Sequence, residues 1–160
     1  MQEIDIHEIH RLMGMLSSID VGLIVLDPDF KIEVWNDFMT NHSGRRGEHV
    51  IGKNLFKQFQ DLPEEWLRNK TKSVFQLNNR AFTTWEQRPY LFKFKNYRPI
   101  TGLAEFMYQN ITFLPMTAAD GTVDRLGIII YDVTDVATGR LELQKAHKEL
   151  EKLSRNEHLT

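Results

Sequence analysis

Six histidines are the residues in this 160-residue sequence best suited to metal binding or acid–base chemistry. His7 and His10 are three positions apart on a predicted helix, but no further metal ligand stands near them. His147 and His158 belong to a charged C-terminal segment, where we expect solvent exposure. The sequence also contains no glycine-rich phosphate loop, no GxSxG and no HExxH motif. We therefore predict no metal site and no catalytic residue in this chain.

A second group with chemical potential lies among the aromatic residues of the central region. Most of these rings are expected to fill a hydrophobic core, whereas a small-molecule site needs a few polar groups among them. Residues 42–98 carry 12 basic and 5 acidic side chains, so the expected ligand is a small anion or another organic molecule, for instance a carboxylate. The side chains predicted to bind it are Trp85, Arg98, Tyr108 and Asn110.

The composition limits the class of protein. With 41% hydrophobic and 26% charged residues, the chain is expected to form one globular domain with appendages. It contains no cysteine, which excludes disulfides, thiolate zinc sites and cysteinyl photoadducts within these residues. The acidic N-terminus and the lack of a long apolar run predict a cytoplasmic protein with no membrane segment. Basic residues are scattered without a recognition motif, so we predict no nucleic-acid partner.

The apolar pattern predicts an α+β domain with a five-stranded antiparallel sheet and short helices on one face. The Asp27-Pro28-Asp29 turn indicates a hairpin, and Asn36 is expected to cap the helix that follows it. The predicted elements are an amphipathic helix in residues 1–16, strands at 21–27 and 30–35, short helices across 36–78, and strands at 90–95, 105–116 and 127–132.

The C-terminal segment has a heptad pattern. Val136, Leu143 and Leu150 are seven positions apart, and Gly139, Ala146 and Leu153 repeat at the same interval. Such a stripe buries nothing on an isolated helix, so we expect a parallel homodimer. The predicted coiled-coil contacts are Val136, Leu143, Ala146, Leu150 and Leu153.

The order of these elements, with Asn36, the run Ile51-Gly-Lys-Asn-Leu55, the Asp120-Gly121 turn and Asp132-Val-Thr-Asp135, resembles a PAS domain across residues 17–135. The resemblance implies a sensor whose sheet and helices enclose a ligand cavity. It also implies that Asp132, Thr134 and Asp135 couple the last strand to the exit helix, with Thr134 or Asp135 capping that helix.

The resemblance has consequences for cofactors. Haem-binding PAS domains usually hold iron with a histidine on the long helix before the third strand, and residues 63–78 contain none. Haem would need His42 or His49, the two histidines inside the domain, in an unusual place. Flavin chemistry through a cysteine adduct is excluded, and the cofactor is otherwise left open.

Residues Leu153–Thr160 resemble the opening of a GGDEF-type diguanylate cyclase domain, with Glu157 in place of the usual aspartate. This implies a PAS sensor that controls a downstream cyclase and hence cyclic di-GMP, with none of the cyclase's catalytic residues in this chain. Two alternatives remain: a histidine kinase or chemoreceptor output, and a ligand-free structural dimerisation module. The expected domains are a helix at 1–16, the sensor at 17–135, a coiled coil at 136–156 and the start of the output domain at 157–160.

Overall fold

The computed structural model of the protein describes residues 5–95 and 104–158. Its helices and strands follow one another along the chain in this order: α1 Ile6–Ser18, β1 Gly22–Leu26, β2 Ile32–Trp35, α2 Asp37–Ser43, α3 Gly47–Val50, α4 Leu55–Gln58, α5 Glu64–Leu77, β3 Ala81–Thr83, β4 Gln109–Thr117, β5 Val123–Asp132 and α6 Thr134–His158.

The five strands form one antiparallel sheet in the order β2-β1-β5-β4-β3. The predicted α+β class and five-stranded sheet are therefore confirmed. β5 lies in the middle and pairs with β1 on one side and β4 on the other, which brings the two ends of the domain together. The longest ladder joins β4 to β5, from Gln109 opposite Asp132 to Thr117 opposite Val123.

The β1–β2 hairpin turns where the sequence predicts it. The Asp27 carboxylate accepts hydrogen bonds from the amides of Asp29 and Lys31, each at 2.9 Å. Phe30 adopts φ +63°, an uncommon conformation for a bulky residue. Its buried ring lies 5.2 Å from that of Phe56, so packing stabilises a backbone conformation that phenylalanine disfavours on its own.

The hydrophobic core lies between the sheet and α2–α5. Alternate residues of the central strands point into it, as the two-residue period of a strand requires. Helix α5 covers the sheet with Leu67 and Val74, both fully buried. The inward-facing residues of β1, β4 and β5 are Ile24, Leu26, Ile111, Phe113, Leu126, Ile128 and Ile130.

Asn36 connects three elements at the start of α2. Its Oδ1 accepts from the amide of Met39, which confirms the predicted cap, and from the amide of Leu23 in β1. Its Nδ2 donates to the carbonyl of Val21 at 2.7 Å and of Leu16 in α1 at 3.3 Å. One buried amide thus holds the end of α1, β1 and α2 in place.

The predicted strand at residues 90–95 is not a strand. Phe92 and Phe94 are buried and Lys93 and Lys95 exposed, as predicted, but backbone pairing is limited to an isolated bridge between Lys95 and Phe106, and the side chain of Gln109 replaces it at residues 91 and 92. Gln109 accepts from the amides of Leu91 and Phe92 and donates to the Phe92 carbonyl at 2.7 Å. The third strand is instead Ala81–Thr83. The apolar–polar alternation of residues 92–95 correctly predicted which side chains are buried. At residues 91 and 92, the side chain of Gln109 makes the hydrogen bonds that a neighbouring strand would otherwise make.

The boundaries of the last two strands also differ from the prediction. β4 begins at Gln109 rather than at residue 105, and β5 begins at Val123 rather than at 127. The Asp120 carboxylate accepts from the amide of Thr122 at 3.0 Å and Gly121 has φ +86°, so the tight turn lets the ladder start early.

Neither terminal helix is built into the core of the domain. α1 has no buried residue and contacts α2, while its apolar side chains face solvent. α6 is buried at its base, where Ala137 is inaccessible, and is exposed from there outward. Both helices therefore carry apolar surface that their own domain does not cover.

Phe113→Ala is expected to lower the free energy of unfolding by about 3–5 kcal/mol, because it leaves a cavity in the middle of the core. Phe82→Ala is the matched control, since this side chain is 57% exposed on the neighbouring strand; we expect it to cost less than about 1 kcal/mol. Urea denaturation measures both. Equal losses would contradict the assignment of inner and outer faces.

Candidate functional site

The structure brings together three of the four predicted ligand-binding residues. Trp85 lies in the turn after β3, Tyr108 directly precedes β4, and Asn110 lies in β4. The Trp85 and Tyr108 rings meet edge to face at 5.6 Å. Asn110 Oδ1 accepts from the Trp85 amide at 2.9 Å. Arg98 lies outside the described residues.

This cluster lies on the outer face of the sheet, contrary to the expectation that it lines the inner cavity. Met107, Gln109 and Ile111 point into the core, so Tyr108 and Asn110 between them point outward. All three predicted side chains are half-buried. Ligand binding by these three residues stays a prediction. They lie on the outer side of the sheet, near the exit helix, rather than in the core.

The same outer cluster is bonded to the predicted signal junction. The backbone of Tyr108 accepts from the Val133 amide at 2.9 Å, and its own amide donates to Thr134 Oγ1 at 3.1 Å. Thr134 is buried, and its hydroxyl donates to the Asp132 carboxylate at 2.5 Å. Two sets of residues that the sequence suggested separately are therefore one connected network.

The start of α6 differs from the predicted cap. Thr134 and Asp135 are already in the first turn of the helix. Asp132 supplies the oxygen that accepts from the Thr134 amide, at 3.0 Å. The last residue of β5 thus satisfies the first free N–H group of α6, so the strand and the helix are joined by side-chain bonds as well as by the chain.

A further link to the exit helix was missed by the sequence reasoning. The Glu86 carboxylate, one residue after Trp85, forms an ion pair with Arg140, two turns into α6. Both side chains are about half exposed (54%), so the pair contributes on the order of 0–1 kcal/mol and can be broken easily. The residues are 54 positions apart, and no local sequence pattern indicates such a pair.

His42 packs between two aromatic rings, at 4.3 Å from Phe38 and 5.8 Å from Phe94. Burial lowers the pKa of this imidazole, while the charges of Asp132 and Asp20 act in the opposite direction. His49 is exposed on α3. Neither placement supports haem. Within residues 5–95 and 104–158, no group of three His, Cys, Asp or Glu side chains could hold a metal ion.

Among the clefts of the described ranges that lie away from the exit helix, two adjoin helices α5 and α2. One, of about 340 Å³, separates the hairpin turn from α5 and has Phe30, Arg68 and Phe75 in its walls. The other, of about 220 Å³, separates the end of α1 from α2 beside Asp20 and His42. No helix in these ranges is both long and apolar enough to cross a membrane.

Thr134→Val is expected to destabilise the domain by about 1–3 kcal/mol, because the Tyr108 amide loses its acceptor and Asp132 loses a donor. Thr134→Ser keeps the hydroxyl and is the control. Amide hydrogen exchange measures the effect at Tyr108 and Val133 directly. Unchanged exchange in Thr134→Val would contradict the junction described above.

The stability of the protein is expected to fall as the pH is lowered through about 6.5, the ordinary pKa of histidine. The folded state lowers the pKa of His42, so the unfolded state takes up a proton first and is favoured in acid. Above that pH the contribution is fully present. Urea titrations between pH 5 and 8 should show this slope in the protein and in His49→Gln, and a shallower slope in His42→Gln.

Several solved structures resemble this fold. A sensory box sensor histidine kinase from Vibrio cholerae is 26% identical, with a TM-score of 0.58 over 80% of this chain and 93% of that chain. The histidine kinase ThkA, solved in complex with the response regulator TrrA, is 25% identical, with a TM-score of 0.61 over 91% of this chain and 39% of that chain. A PAS domain from Colwellia psychrerythraea is 12% identical, with a TM-score of 0.57 over 80% and 98%.

The sequence comparisons agree with the structural ones. Curated protein sequences contain no significant match. The family profile described as the PAS fold matches residues 11–102, which is more than half of the chain. With the five-stranded sheet, the helices on its inner face and the exit helix that leaves β5, this shows that the chain belongs to the PAS family and is a sensory module.

Proposed function

We propose that this PAS domain works as a homodimer and that its exit helix transmits the state of the sensor to an output domain. The observation that carries the proposal is the construction of α6. Its base is held by Thr134, which bonds to Tyr108 just before β4 and to Asp132 of β5, and Ala137 is buried there, whereas its remaining length exposes an apolar stripe. A helix fixed at one end and unpartnered at the other is suited to carry a displacement from the sheet to a partner.

The exposed stripe favours a second copy of the same helix as the partner. Val136, Leu143, Leu150 and Leu153 are each 60–72% exposed, although leucine and valine prefer burial. Val136, Leu143 and Leu150 recur at heptad spacing, and Leu153 shares the other seam position with Gly139 and Ala146. A parallel pair buries all of them at once and places two output domains side by side.

Helix α1 offers a second surface for the dimer. Ile9, Leu12, Met13 and Leu16 form an apolar stripe, and every one of these residues is exposed. The helix is nonetheless anchored to the domain, since the Leu16 carbonyl accepts from Asn36. Association through both helices would therefore act on the same rigid body from its two ends.

The network between Trp85 and the exit helix is the proposed route of the signal. Tyr108 and Asn110 connect the turn after β3 to the last residues of β5, and Glu86 reaches α6 directly. A ligand that shifts this turn changes the contacts at the base of α6. Two arrangements of the helix with different ligand affinities are sufficient for regulation.

The output domain has two candidates. The resemblance of residues 153–160 to the start of a GGDEF domain favours a diguanylate cyclase, and thus control of cyclic di-GMP. Similar solved structures from two histidine kinases, at 26% and 25% identity, favour a kinase output. We propose the cyclase first, because its motif lies in this chain itself, directly after the heptads.

One observation favours the rival function, a structural dimerisation module without a ligand. Rings fill a large part of the core: Trp35 stacks on Phe59 at 5.3 Å, Phe92 stacks on Phe94 at 5.3 Å, and His42 continues the row. A core packed in this way needs no bound ligand, and the proposed coiled coil could form without one. Mass spectrometry of small molecules released on denaturation distinguishes a loaded sensor from such a module.

Leu143→Glu combined with Leu150→Glu is expected to weaken the dimer at least tenfold, because four carboxylates would face each other in one seam. Lys145→Glu, which lies outside the stripe, is the control and should leave the dimer nearly unchanged. Sedimentation velocity over a range of concentrations measures both. If the unsubstituted chain is monomeric even at high concentration, the proposal is wrong.

The activity of the output domain is tested on the full-length protein. Purified protein is incubated with GTP and assayed for cyclic di-GMP, and separately with ATP and assayed for autophosphorylation. Formation of cyclic di-GMP supports a cyclase output. A phosphorylated histidine shows a kinase output instead. Neither product would contradict both outputs and favour the structural module.

A further inference from the structure

The cleft between the hairpin turn and α5, of about 340 Å³, has the composition of a small-molecule site. Such sites span roughly 300–1,000 Å³ and combine an apolar floor with a few polar groups. Here Phe30, Phe75 and Pro28 supply the apolar surface, and exposed side chains of α5 supply cations and amides that a ligand reaches from solvent. The polar residues of this wall are Arg68, Asn69, Lys72 and Gln76.

The floor of the cleft is fixed by the conformation of Phe30. Its backbone has φ +63°, which a bulky residue rarely adopts. The Phe30 amide donates to the Asp27 carbonyl at 2.9 Å, and the Phe30 carbonyl accepts from the Leu55 amide at 2.8 Å. The centroid of its ring lies 5.2 Å from that of Phe56 and 6.4 Å from that of Phe75. Strained residues held in this way concentrate at binding sites, where they preorganise the surface that meets the ligand.

The two cations of the cleft differ in what they are free to bind. Arg68 donates from Nε and one terminal nitrogen to Glu64 Oε1, at 3.3 and 3.1 Å, and its guanidinium group lies 4.8 Å from the centroid of Phe30. Its charge is thus balanced by that of Glu64. Lys72 lies one turn later on the same face of α5, is exposed, and forms no ion pair within residues 5–95 and 104–158. The cleft therefore offers one free positive charge beside an apolar floor.

We propose that this cleft binds a small aromatic monocarboxylate. The carboxylate pairs with the Lys72 ammonium group, and the ring packs against Phe75 and Pro28. Asn69 and Gln76 lie one turn before and one turn after Lys72, so their amides are placed to donate to the same carboxylate or to a hydroxyl on the ring. Inorganic phosphate brings nearly two charges and no apolar surface, which one free cation and an apolar floor do not match.

Occupancy of the cleft has a path to the exit helix through α5. This helix packs on β3, β4 and β5 and ends at Leu77, shortly before β3 begins at Ala81. Asn78 ends the helix in a left-handed conformation, so a tight turn joins helix and strand. A shift of α5 therefore moves β3 and the turn whose Glu86 pairs with Arg140. This link rests on the proposed function, in which α6 carries the signal, whereas binding in the cleft does not.

Sodium benzoate is the probe, titrated into the isotope-labelled chain and followed by NMR. We expect nuclear Overhauser effects between the benzoate ring and Phe75, and a shift of the Lys72 side-chain resonances. Sodium acetate has the charge without the ring, and benzyl alcohol has the ring without the charge. Each should bind at least about tenfold more weakly. Phosphate binding as tight as that of benzoate would overturn the proposal, because it indicates a general anion site.

Cyclohexanecarboxylate tests the aromatic part of the proposal, since it has the same charge and similar size but no π face. Benzoate should bind about two- to tenfold tighter than cyclohexanecarboxylate to the original chain. Phe75→Leu keeps the floor apolar and removes its ring, so it should abolish this difference. Equal binding of the two acids by the original chain would contradict the preference for an aromatic ligand.

Lys72→Gln tests the cation. The side chain is exposed, so the fold should be preserved, while benzoate should bind at least about tenfold more weakly. Lys72→Arg should retain most of the affinity. Lys70→Gln is the matched control, because it makes the same change on the same helix outside the cleft, and it should bind benzoate as the original chain does. Equal weakening by Lys72→Gln and Lys70→Gln would show only an effect of net charge and would overturn the site.

The outcomes separate this inference from the proposed function. Nuclear Overhauser effects from benzoate to Trp85 or Tyr108, and none to Phe75, would overturn the cleft in favour of the residues predicted from the sequence. A chain that binds neither benzoate nor the related acids overturns the inference as well. The dimer measured by sedimentation is unaffected by either result.

The link to α6 is measured with a spin label at Lys152→Cys, which is unique because the chain contains no cysteine. Benzoate should change the distance between the labels of the two protomers, and Glu86→Gln should remove the change while benzoate still binds. Binding without any change in distance would leave the cleft as a site and contradict its connection to the helix.

Discussion

The pairing of β4 with β5, which sets Gln109 opposite Asp132, is the constraint on which the rest of this domain depends. It sends Gln109 into the core, where its amide replaces the missing ladder of residues 91 and 92. It also brings the backbone of Tyr108 against Val133 and Thr134 at the start of α6. A shift of one residue would exchange the two faces and remove both connections.

The interior and the outer face have different roles. Inside, Trp35, Phe59, Phe92 and Phe94 pack ring against ring, and such cores resist rearrangement. On the outside, the turn after β3 is held by a hydrogen bond to Asn110, by the ring contact of Trp85 with Tyr108, by the packing of Arg88 on Trp66 and by one exposed ion pair. The proposed movement in response to a signal is therefore assigned to the turn and the exit helix, where the interactions are weaker than in the core.

Unpartnered helices explain why this domain is suited to assembly. The apolar stripe of α1 is exposed although Asn36 fixes its end, and the stripe of α6 is exposed although Thr134 fixes its base. Helices of this composition are marginal alone and gain most of their stability from packing. Association of two chains would supply that packing and would couple the two sheets mechanically.

The sequence by itself determined the features that depend on residues close together in the chain. Alternation predicted the faces of the strands, Asp27 and Asn36 predicted a turn and a cap, and the heptads predicted the stripe on α6, because each depends on neighbours a few residues away. The tertiary structure alone decided that residues 91 and 92 are held by the side chain of Gln109, that Trp85, Tyr108 and Asn110 face outward, and that Glu86 meets Arg140. These features depend on which strands pair and in which register. Contacts between residues far apart in the chain produce no periodic pattern in the sequence.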